Sequence, residues 1–75
     1  MAILVYFEIV RDDDHEVEYK FGFPSLDRRL VIAQETGEGA PVDGHNDKAC
    51  RDVFVKITRL RRSEGRWPRK GSYAA

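Results

Sequence analysis

Seventy-five residues with thirteen basic and thirteen acidic side chains make one small domain of zero net charge, too small to enclose a large catalytic pocket by itself. The single cysteine, Cys50, excludes a disulfide within the monomer, and no stretch approaches the roughly 18 apolar residues that cross a bilayer. The zero hides a split: residues 1–47 carry four basic and eleven acidic side chains, a net of −7, and residues 48–75 carry nine basic and two acidic, a net of +7. Either the halves face each other in the fold and neutralise one another, or the basic segment is left for a partner.

A chain of this size buries only about 60% of its unfolded surface, so its core is small. Small domains of this kind often rely on a disulfide, a metal or a partner subunit. The opening MAILVYFEIV has no basic n-region and runs at once into a charged turn, so it does not read as a signal peptide. The expectation is a soluble, cytoplasmic protein with no membrane contact.

Ile3 to Val10 reads as the first strand. Ile3, Val5, Phe7 and Ile9 share one face, while Leu4, Tyr6 and Val10 make the other largely apolar as well. Arg11 to His15 (RDDDH) is a turn, because Asp side chains bond backbone amides two residues on. Glu16 to Phe21 alternates cleanly, with Val17, Tyr19 and Phe21 inward and Glu16, Glu18 and Lys20 outward, so these two strands form a hairpin. Gly22 to Asp27 is a connection from which Phe23 and Leu26 are expected to tuck into the core. Arg28 to Gln34 is the third strand, with Leu30 and Ile32 on the core face and Arg29, Val31 and Ala33 outside.

Thr36 to His45 carries three Gly and one Pro and reads as a loop. Asn46 to Glu64 is the only long helix. Asn46 or Asp47 suits its N-cap and Gly65 its C′ position, and Arg59, Arg61 and Arg62 suit its negative end. One face holds Cys50, Val53, Phe54, Ile57 and Leu60, with Cys50 expected as a small core residue. On that pattern Phe54→Ala should unfold or badly destabilise the domain. Residues 66–75 (RWPRKGSYAA) have no clear periodicity and read as a tail. The expected fold is α+β: a three-stranded antiparallel meander with one long C-terminal helix packed on one face. It forms a single β-β-β-α domain over 1–65, with a tail over 66–75.

No catalytic motif stands out. Ser25, Ser63 and Ser72 sit in no nucleophile elbow, and there is no Gly-rich phosphate loop. Asp12, Asp13, Asp14 and His15 are metal-type ligands, but their spacing matches no established loop and a solvated turn explains them. His45 with Asp43 and Asp47 lacks a nucleophile. The chain is therefore expected not to be an enzyme and to take no cofactor, metal or small-molecule substrate.

Two surfaces remain. At 100° per residue Lys48, Arg51, Arg59 and Arg62 fall in one sector opposite Val53 and Ile57, and the tail adds Arg66, Trp67, Arg69 and Lys70. Basic residues interleaved with aromatics suit a protein partner or, alternatively, nucleic acid. The second sheet face, with Leu4, Tyr6, Val10, Val31 and Ala33, is apolar enough to expect a cover. That cover would be the tail, laying Trp67 and Tyr73 across it, or a second copy in a homodimer.

The β-β-β-α order resembles AP2-type and integrase amino-terminal DNA-binding domains in element order alone; those read DNA with the open sheet face. Here that face would hold Glu8, Glu16 and Glu18 beside Lys20 and Arg29. Through Glu18–Phe23, Leu26–Ile32, Asp43–Asp47 and Gly65–Gly71 the chain also resembles short uncharacterised bacterial proteins with no established activity. That resemblance implies a self-standing small protein. The functional expectation is a small non-catalytic protein-interaction module, with nucleic-acid binding as the alternative.

Overall fold

A computed structural model describes residues 4–74. Ile3, expected at the start of the first strand, lies outside them. The elements are β1 (Leu4–Asp12), β2 (Glu16–Gly22), β3 (Arg28–Ala33), β4 (Gly39–Pro41), α1 (Lys48–Glu64) and β5 (Lys70–Ala74). All five strands join one antiparallel sheet in the order β4-β3-β2-β1-β5. The α+β class fits, but the expected three-stranded meander is overturned. The added strands come from the stretches read as the 36–45 loop and the 66–75 tail, and the β-β-β-α element order no longer holds.

The first three strands follow their side-chain alternation. Asp13 closes the β1–β2 turn, its Oδ1 accepting from the backbone N–H of His15 (2.9 Å) and Glu16 (2.7 Å). The β1–β2 register runs from Tyr6↔Gly22 to Ile9↔Tyr19, then slips, so that Arg11 faces Glu18 and Val10 is left as a bulge. The inward residues of these strands, Val5, Phe7, Val17, Tyr19, Phe21, Leu30 and Ile32, form the sheet side of the core.

Neither added strand has a strand-like sequence, and each is held by pairing. In β5, Leu4↔Ala74 through Glu8↔Lys70 cover the edge of β1, and Ile9 N–H donates to Arg69 C=O at 2.8 Å. Gly71 lies opposite Phe7, whose ring fills the space that a side chain would need: a Cβ there would sit 2.6 Å from Phe7 Cζ. At the far edge β4 pairs with β3, and the Phe54 ring covers Gly39 in the same way. A glycine on each edge strand thus lets an aromatic ring approach the strand backbone closely.

The helix keeps its expected limits. Asp47 is the N-cap, accepting from Cys50 N–H at 3.0 Å, and Gly65 ends the helix at φ 76°, its N–H donating to Arg61 C=O at 2.9 Å. Cys50, Val53 and Ile57 are buried against the sheet, with Phe54 and Leu60 packed at the margin. Phe23, expected in the core, is instead 61% exposed and lies on the outer face 6.0 Å from the Tyr6 ring. Leu26 is half-buried. The tail does not cross the outer sheet face. Trp67 packs against the core cluster, and Tyr73 pairs with Val5 on β1.

Arg28 ties the 41–47 segment to the sheet. Its guanidinium donates to both Asp47 oxygens (3.0 and 2.9 Å), to Asp43 Oδ2 (3.2 Å) and to His45 C=O (2.8 Å), and lies 4.8 Å from the Phe21 ring centre. The Cys50 amide, and then Arg28, hold the Asp47 carboxyl below the usual carboxylate range. A carboxylate depressed in the fold stabilises above its unfolded pKa near 3.9 and loses that contribution as pH falls through its folded value. Urea midpoints should therefore drop steeply on acidification from about pH 5 to about pH 2. Asp47→Ala should lower stability at neutral pH by about 1 kcal/mol and flatten that acid dependence. An unchanged acid slope in the variant would rule out the cap and ion pair as its source.

Candidate functional site

The candidate surfaces differ in how their charges are spent. On the outer face of the sheet, Lys20 meets Glu8 at 3.8 Å. Glu18 lies between Arg11 (3.4 Å) and Arg29 (3.0 Å). Arg11 also pairs with Asp13 and with Glu16, the latter at 3.0 Å. With Arg28 on Asp43 and Asp47, all four basic side chains of residues 1–47 are engaged by acids of that same half. Among the described residues, no ion pair joins an acid of residues 1–47 to a basic side chain of residues 48–75. Of the nine basic side chains in the second half, only Lys48 is ion-paired among the described residues, with Asp52 at 2.6 Å.

The helix stripe is therefore open. Lys48, Arg51, Arg59 and Arg62 are all exposed, with Val55 (44% exposed) among them. The second set, Arg66, Trp67, Arg69 and Lys70, belongs to a different feature. It lines an open cleft of about 680 Å³ at the end of α1, together with Asp12, Gln34, Leu60, Arg61, Glu64, Gly65 and Pro68. None of Lys48, Arg51, Arg59 or Arg62 lines it. The residues read as one basic surface are thus a stripe and a cleft.

Two hydrogen bonds anchor the turn that forms part of the cleft. Tyr19 Oη donates to Pro68 C=O at 2.6 Å across the core, and Ile9 N–H fixes Arg69 C=O. Pro68 is buried, Trp67 is half-buried, and Arg66, Arg69 and Lys70 point to solvent. The Arg61 guanidinium lies 5.4 Å from the Trp67 ring centre, a cation–π contact. The indole Nε1–H is enclosed and meets no acceptor among the described residues. Gln34 Nε2 donates to Asp12 Oδ1 at 3.2 Å and to the Asp13 carbonyl on the opposite wall.

Arg61 was missed as a site residue. The signal was present: it follows Ile57 by four positions, which places it on the sheet-facing side of the helix, where a long cation at the last turn must reach round the end of the core. The sequence pattern places Asp12 in the solvated turn. The bulge at Val10 shifts the register so that Asp12 faces Val17, an inward residue, and no local pattern announces a bulge.

The proposed dimer residues are not contiguous. Leu4 and Tyr6 lie on β1 beside Phe23, whereas Val31 and Ala33 lie on β3. Between these strands runs β2, with Glu16, Glu18 and Lys20 outward, and Val10 sits at the bulge. Cys50 is buried, and desolvation pushes its thiol pKa up, away from reactivity. Among the described residues no group of three or more His, Cys, Asp or Glu side chains is placed to hold a metal ion, and no helix is long and apolar enough to cross a membrane.

The fold and surface define a small α+β domain: a five-stranded antiparallel sheet with one helix on one face and unpaired basic charge on that helix. No protein-family model matches the chain, and comparisons with curated proteins and with solved structures give no match.

Proposed function

We propose that this protein is a small non-catalytic interaction module that binds an acidic protein surface through the exposed face of α1. The observation that carries the reading is the charge census. The basic residues of the first half are all engaged within that half, whereas Arg51, Arg59 and Arg62 have no acidic partner among the described residues. Unpaired like charges on one helix face repel one another, and a complementary surface relieves that cost while steering the encounter. Val55, itself exposed, gives the face an apolar point among the charges that docking would bury. The outer sheet face is a weaker docking surface, because its central charges already neutralise each other.

The test is comparative affinity capture from the cells that express the protein, using the wild type and an Arg51→Glu/Arg59→Glu/Arg62→Glu variant. Like-charge juxtaposition at an interface costs several kcal/mol, so an acidic partner should be lost from the variant by at least about tenfold. These side chains are exposed and outside the core, so the variant should still melt cooperatively. Equal recovery from both proteins would sink the helix face as the contact surface.

Nucleic-acid binding is the second reading, favoured by a second group of exposed cations, Arg66, Arg69 and Lys70, beside Trp67. A mobility shift that appears at low salt and weakens steeply as salt rises would support it. The absence of any shift at low salt would end it.

A further inference from the structure

The cleft at the end of α1 has a composition unlike the helix stripe. Arg61, Arg66, Arg69 and Lys70 bring four cations to its rim, and Asp12 and Glu64 bring two carboxylates. The carbonyl end of the helix, the negative pole of its dipole, closes the same space. A bare anion in this cleft meets attraction from the four cations and repulsion from the two carboxylates. A ligand with a phosphate on one side and hydroxyl or amino donors on the other satisfies both. Leu60, Trp67 and Pro68 add an apolar, partly aromatic wall, and about 680 Å³ lies within the range of small-molecule sites. We propose that this cleft binds a nucleoside monophosphate, with the phosphate on Arg66, Arg69 and Lys70 and the hydroxyl or amino donors turned to Asp12 and Glu64. Arginine suits this task because its planar fork pairs phosphate oxygens two at a time. The site is independent of the helix-face reading, since no residue of that stripe lines it.

Trp67 is the only tryptophan in the chain, so its fluorescence reports from the cleft wall alone. Adenosine 5′-monophosphate, adenosine and inorganic phosphate are titrated separately against the intact protein at constant ionic strength. The monophosphate should give a saturable change with a Kd below about 1 mM, phosphate alone should bind at least about tenfold more weakly, and adenosine should not saturate. Arg66→Ala and Arg69→Ala should each weaken the monophosphate by about tenfold, with Arg51→Ala unchanged. A linear, non-saturating response, or full affinity in both cleft variants, would overturn the site. Inorganic phosphate binding as tightly as the monophosphate would overturn the nucleoside assignment. Should a variant melt early, NMR on the wild type decides. Shifts confined to Gly65–Lys70, the Trp67 indole N–H and Asp12 support the cleft, and shifts spread over the exposed arginines refute it.

Discussion

Deleting residues 70–75 is expected to abolish cooperative folding. Among the described residues β5 alone covers the outer edge of β1, and its loss frees the backbone groups that pair from Leu4 to Glu8. It also uncovers one side of Phe7, whose ring rests on Gly71 and whose exposure is now 1%. Orphaned ladder bonds cost about 1 kcal/mol each, and a domain of this size has only a few kcal/mol in hand. An exposed apolar edge is in addition a template for aggregation. Circular dichroism through a thermal ramp should show no sharp transition, and gel filtration should show expanded or associated species. A deletion variant melting within a few degrees of the full chain would mean that β5 is an appendage and that β1 is a tolerated edge.

Tyr19→Ala should be the most damaging single truncation. Tyr19 is fully enclosed on the central strand β2, meets Phe7 edge to face with centroids 5.9 Å apart, and anchors the C-terminal turn through Pro68 C=O. Burial also pushes its phenol pKa above the ordinary range, which favours the protonated, donating form. Removing the ring should cost about 3–5 kcal/mol, comparable with the whole stability of a small domain. Tyr19→Phe separates the two roles. It keeps the packing and leaves a buried carbonyl unpaired, at a cost of about 1–3 kcal/mol. Chemical denaturation of the two variants, followed at Trp67, checks the series. Equal midpoints for Tyr19→Phe and wild type would show that the hydroxyl bond does not hold the turn. Phe54, which the helix pattern puts at the centre of the core, is only half-buried at the β4 margin, so Phe54→Ala should cost less than Tyr19→Ala.

The helix and the first three strands were legible because their information is local. Asp47 and Gly65 mark the helix ends by capping chemistry, and Val17, Tyr19 and Phe21 declare an inward face by a period of two. The stripe of Lys48, Arg51, Arg59 and Arg62 was legible for the same reason, since helical phase alone puts them on one side. The sequence by itself thus determined the α+β class, the helix limits, the core face and the existence of a basic surface. It could not show β4 or β5. Gly39–Pro41 and Lys70–Ala74 are rich in Gly, Ala, Ser and Pro, and they become strands because β3 and β1 offer unpaired edges and because Gly39 and Gly71 leave room for the Phe54 and Phe7 rings. The division of charge was also beyond reach. Whether an arginine is neutralised depends on which acids the chain brings within about 4 Å, and that is set by strand register and by the bulge at Val10. Tertiary structure therefore decided that the acidic half satisfies its own cations, that the tail forms an edge strand and a cleft, and that the helix face is left bare.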